Sequence, residues 1–139
     1  MNDSVKKIAI SKFKRGQVDY RETASFDDLS ELIKQEILKR TNLQTEECVI
    51  VRYLSEKKWL LISLSSLFIK LEDSCEKIDY NIIVSMQPNI NLHLLNKTNK
   101  FTYSDSLIII TKTEDHKVVY LEPGTVGVLI GVIKYLASL

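Results

Sequence analysis

Tyr120-Leu121-Glu122-Pro123-Gly124-Thr125-Val126-Gly127-Val128-Leu129-Ile130-Gly131-Val132-Ile133-Lys134-Tyr135-Leu136 holds three of the four glycines in this chain and marks where its β-structure stops. Pro123-Gly124 is a turn signal, and the apolar period changes across it. Val126, Leu129, Ile130, Ile133 and Leu136 recur at i, i+3, i+4, i+7 and i+10, the stripe of a helix laid on a core. The spacing predicts a closing helix over 125–139. Its other face carries Gly127, Val128, Gly131, Lys134, Tyr135 and Ser138. The run is too short to cross a bilayer, which needs roughly 20 apolar residues, and Lys134 interrupts it. A glycine inside a helix costs about 1 kcal/mol relative to alanine. Gly127 and Gly131 therefore need a compensating role. Either the helix backbone packs closely on a strand, or a flat face stays open for a partner. In the second case Gly127, Val128, Gly131 and Tyr135 are the contact residues.

Before this helix, residues 46–121 read as strands separated by polar turns. Cys48-Val49-Ile50-Val51-Arg52-Tyr53-Leu54 is rich in β-branched residues, and Ser55 to Lys58 turns the chain. Trp59–Leu64 and Leu67–Leu71 follow, bent around Ser65-Ser66. Lys77–Met86 alternates as one half-buried strand that Pro88 closes. Phe101–Tyr103 and Leu107–Thr111 are two more, separated by Ser104-Asp105. Lys117–Leu121 completes about seven antiparallel strands, the pattern of a sandwich or partly open barrel. No βαβ alternation and no internal repeat is present.

Upstream lies a helix over 25–42, with Ser25 as cap, Asp27 and Asp28 in the first turn, and Leu29, Leu32, Ile33 and Ile37 on the buried face. Residues 1–24 form a basic segment in which Val5, Ile8, Ile10 and Phe13 fit either a strand or a short helix. Six basic residues face three acids there, leaving the remainder at −2. With no aromatic pair to stack bases, the segment reads as solvated rather than as a nucleic-acid arm.

At 139 residues and a net charge of +1, the chain is the size of a single domain, 1–139, with no global drive toward nucleic acid or acidic membranes. Cys48 and Cys75 match no metal or redox spacing and suit a reducing, cytoplasmic setting. No secretory leader pattern is evident. Asn96-Lys97-Thr98 fits a glycosylation sequon that has no meaning in the cytosol. No phosphate-binding loop, dinucleotide fingerprint, zinc-protease motif or nucleophile elbow occurs, so no cofactor or metal is expected. His93 and His116 are the only histidines and the only pair available for acid–base cleavage of RNA. His116 sits in a charged turn and His93 among leucines, and neither neighbourhood suits a catalyst. Glu72, Asp73, Glu76 and Asp79 are spaced as a solvated hairpin end rather than a calcium loop.

A helix, about seven antiparallel strands and one closing amphipathic helix is the element order of pleckstrin-homology-like domains, and the chain resembles their bacterial versions. Leu43-Gln44-Thr45-Glu46-Glu47, Trp59-Leu60-Leu61-Ile62-Ser63, Ile78-Asp79-Tyr80-Asn81-Ile82, Tyr120-Leu121-Glu122-Pro123-Gly124 and Ile133-Lys134-Tyr135-Leu136 carry the resemblance, over 43–139. It implies an α+β fold. It also implies a non-catalytic module that binds another protein, most concretely an immunity protein neutralising a toxin. Lipid-binding members hold phosphates with basic residues around the first hairpin. Here that alternative falls on Lys57, Lys58 and Lys70, near Arg52, with Glu56 and Glu72 among them. Nothing in the pattern sets an oligomeric state.

Overall fold

The computed structural model describes residues 2–15, 20–90 and 103–139. The fold is α+β. Among the described residues, eight strands form two antiparallel sheets that do not close into a barrel, with three α-helices packed on them. The first sheet runs in the order β1 (Thr23–Ser25), β2 (Cys48–Ser55), β3 (Lys58–Ser63), β4 (Ser66–Leu71) and β5 (Ser74–Asp79). The second runs β6 (Ile83–Ile90), β7 (Tyr103–Thr111) and β8 (His116–Tyr120). The helices are α1 (Asn2–Arg15), α2 (Glu31–Thr41) and α3 (Val126–Ala137).

Period-two alternation gives the first sheet two buried faces. Leu60 and Ile62 of β3 join Leu67, Ile78, Leu107, Ile109 and the α3 stripe in the main core. Trp59 and Leu61 point the other way and pack with Val51, Phe68, Ile37 and Phe26 beneath α2. A bulge in β2 between Cys48 and Ile50 turns both Val49 and Ile50 toward the main core.

Five expectations from the sequence are corrected here. Residues 1–24 are not a solvated arm: α1 packs along α3, with Ala9 and Phe13 buried in the main core, and Thr23 and Ser25 belong to β1. The helix does not start at Ser25, which pairs with Ile50 of β2 and makes no side-chain cap. Phe26 has to be buried, so the chain turns in a single 3-10 turn (Phe26–Asp28), and α2 starts at Glu31 with Ser30 accepting from the Ile33 N–H. That later start leaves Leu32 on the outside, 83% exposed, while Ile37 is fully buried. The stretch Lys77–Met86 is not one strand. Tyr80 breaks it, donating its hydroxyl to Ser63 O at 2.6 Å and its N–H to Ser65 O at 3.0 Å, and the chain passes from one sheet to the other there. Pro88 does not close β6; it pairs with Leu107 on a strand at the sheet's edge, the place in a sheet where proline is tolerated. Finally, Ser104 and Asp105 do not separate two strands but lie inside β7.

Two polar ties fix the amino-terminal elements. Lys6 of α1 is 8% exposed; its ammonium donates to Asp27 Oδ1 and Thr45 O, both at 3.0 Å. Glu122, also 8% exposed, accepts from the N–H of Arg21 at 2.8 Å, the N–H of Glu22 at 3.0 Å and the Thr23 hydroxyl at 2.7 Å. Burial alone would push its carboxyl up, but the hydrogen bonds from Thr23, Arg21 and Glu22 outweigh that and hold it below the usual carboxylate range. Glu122 also opens the turn into α3. Its C=O accepts from the Thr125 N–H at 3.0 Å, with Pro123 second and Gly124 third at φ 90°, the residues a type II turn asks for.

Glu122→Gln should lower the unfolding free energy at neutral pH by roughly 1–3 kcal/mol, read from urea unfolding. A depressed folded-state pKa contributes stability above the ordinary value of 4.5 and loses it as the pH falls through the folded value. The gap between wild type and variant should therefore close below that pH. A gap that stays constant through the acid range would remove the carboxylate from this account.

Candidate functional site

Along α3 the core stripe is as the spacing predicts: Val126, Leu129, Ile130, Ile133 and Leu136 are all buried, and Val132 joins them. The opposite face splits in two. Val128 and Tyr135 are half-buried against the main core, and the Lys12 ammonium of α1 lies 5.2 Å from the centre of the Tyr135 ring. Gly127 and Gly131 are exposed on the other flank, with Lys134 and Ser138. A Cβ placed on either glycine would meet no heavy atom within 4 Å. Close packing on a strand is thus not what these glycines serve, and the four predicted contact residues do not share one open face.

At the far end of the first sheet, Lys57 lies in the β2–β3 turn, while Lys58 and Lys70 stand on paired strands. Lys70 donates to the Glu72 carbonyl in the adjacent turn. Lys58 and Lys70, but not Lys57, line a groove of about 160 Å³ between β8 and the outer part of β2–β4. Arg52, Leu54, Ile69 and Leu71 come from the first sheet, Val118 and Tyr120 from β8. Arg52 bonds Glu22 through Nη2 at 3.0 Å, while its buried Nε lacks an acceptor, as does Nε1 of Trp59, another lining residue. The rim is apolar and open: Leu71 is 52% exposed and Tyr120 68%. The cations on the groove's own face are Lys58 and Arg52, since Lys70 pairs with Trp59 and so stands on the face beneath α2; among the described residues no carboxylate lines the groove. Sequence reasoning did not assemble this groove. Its signal was present in β8, where Val118 and Tyr120 flank buried Val119 and so stand on the opposite side.

Such a lining suits an apolar group accompanied by negative charge. Burial pushes the Cys48 thiol up to about 12 against the pull of Lys6, and raises Cys75 too. Burial and the bond to Glu36 push Tyr53 up to about 12. His116 starts β8 on the surface; His93 lies outside the described residues, as do Asn96-Lys97-Thr98 and Phe101-Thr102. Of the acids between the sheets, Glu76 pairs with Lys117 at 2.8 Å and Asp79 accepts from the Ser66 hydroxyl at 2.6 Å. Among the described residues no three histidines, cysteines or carboxylates gather as a metal site would require, and no helix is long and apolar enough to cross a membrane.

No protein-family model matches the chain, and neither a curated protein nor a solved structure shows significant similarity to it.

Gly127→Ala and Gly131→Ala should each stabilise the isolated protein by about 1 kcal/mol, because the added methyl enters open space. Gly124→Ala should destabilise it by roughly 1–2 kcal/mol, since a left-handed φ strains any residue with a Cβ. Thermal and urea unfolding of the three variants measure both signs. Loss of stability at 127 or 131 would mean that the α3 flank is covered after all.

Proposed function

We propose that this chain is a non-catalytic protein-binding module of pleckstrin-homology-like fold. Its most concrete role is that of a cytoplasmic immunity protein that binds and neutralises a toxin. The observation that carries the reading is the cluster of exposed apolar side chains, Leu54, Leu71, Val118 and Tyr120, around one groove. Contiguous apolar surface of this kind marks an interaction site more often than a catalytic one. The titratable groups support the same reading. Those with raised pKa values are shifted by burial or by a single partner, not by the paired arrangement that acid–base chemistry needs. The order of strands and the closing helix support the fold assignment, but element order alone does not transmit function.

One observation favours the second reading, a binder of lipid or another anionic ligand: Lys58 opens on the groove beside Arg52, although Lys57 does not line it. A protein partner would meet the same cations with complementary charge, which speeds encounter and sets specificity.

Co-expression with the product of the adjacent gene should give a stoichiometric complex on gel filtration and should protect the host cell from that product. Neither complex nor protection, together with vesicle binding that Lys58→Glu and Lys70→Glu abolish, would transfer the role to the anionic-ligand reading.

A further inference from the structure

The edges of the two sheets differ in how they are defended. An edge strand exposes unpaired N–H and C=O groups, and proteins blunt it with charge, proline, shortness or cover. In the first sheet, β1 has only three residues, and β5 carries Glu76, Lys77 and Asp79. In the second, β6 carries Pro88. The remaining edge, β8, carries no proline and a single lysine. That lysine, Lys117, is drawn across to Glu76 at 2.8 Å. That leaves Val118, 49% exposed, and Tyr120, 68% exposed, as its outward row. No described residue pairs with its free edge, which borders the groove.

We infer that β8 is a docking edge, to which an extended segment of a partner protein adds as a further strand of the second sheet. This rests on the protein-binding reading above and names the chemistry of the partner. The segment carries one large apolar side chain beside a carboxylate. The apolar side chain enters the groove: a cavity of about 160 Å³ matches the roughly 150 Å³ that accepts a benzene ring in an apolar protein interior. The carboxylate faces Lys58, with Arg52, held by Glu22, behind it, and no lining acid opposes it. Main-chain bonds to β8 supply affinity, and the groove and cations supply the choice of segment.

The test is to pan a phage-displayed library of random peptides against the full chain and to synthesise the enriched consensus. The expected consensus has one large apolar residue beside Asp or Glu. The peptide should protect amides of His116–Tyr120 from hydrogen exchange. Tyr120→Lys and Lys58→Glu, both surface changes that leave the circular dichroism and melting temperature unaltered, should each weaken it roughly tenfold or more. Peptides that bind equally well after N-methylation of alternate backbone amides would overturn strand addition. So would the absence of any enriched peptide, or phosphatidylserine vesicles binding the groove in place of peptide. The two readings separate cleanly. A complex with the adjacent gene's product that forms and ignores Tyr120→Lys and Lys58→Glu overturns the docking edge and leaves the binding module standing. Peptide binding at β8 without any such complex supports the docking edge and removes the immunity role.

Discussion

Glu122 is the constraint on which the amino-terminal half of the fold depends. One carboxylate reaches across about 100 positions of sequence to gather three donors from residues 21–23. Those donors lead directly into β1, so the carboxylate fixes where the first sheet begins. Beside it, Glu22 takes the Arg52 guanidinium. A few residues on, Phe26 closes the smaller core under α2. The same glutamate begins the type II turn that sets the direction of α3. A buried carboxylate is tolerable because its lone pairs meet this many donors, and its position at the junction of two elements makes it an organising group rather than a catalytic one.

The first sheet serves two cores at once, which explains why its strands read as nearly continuous apolar runs. Binding surface and stability are therefore segregated along the strands. The middle of β2, β3 and β4 is buried on both faces, while their outer ends, at Leu54, Lys58 and Leu71, open on the groove. Substitutions at those ends change what the surface meets without cutting into either core.

Much of this was legible in the sequence, and the misses have physical causes. The α3 stripe and the Pro123-Gly124 turn are local patterns, and both stand as read. Strands β2 to β4 were legible for the same reason, since each pairs with its neighbour in sequence. Whether Val5 to Phe13 formed helix or strand was not legible, because the deciding partner, α3, lies far along the chain. Ser25 looked like a cap because its flanking acids fit one; the demand to bury Phe26 and to place Asp27 against Lys6 overrode that local preference. Tyr80 sits in a perfect alternation with Ile78, yet its hydroxyl is claimed by Ser63, and no periodicity encodes such a bond. The groove escaped notice because it exists only where two sheets approach, although its outward residues in β8 were visible one strand at a time.

The pairing of α1 with α3 also has a consequence in time. During synthesis α1 leaves the ribosome long before Val126–Ala137 exists, so Phe13 can meet Tyr20 and α1 can meet β2 early, but the partner along which α1 mainly packs comes late. Contacts this distant in sequence slow folding and leave an unfinished core on display. Until α3 docks, a basic helix keeps part of its apolar side uncovered.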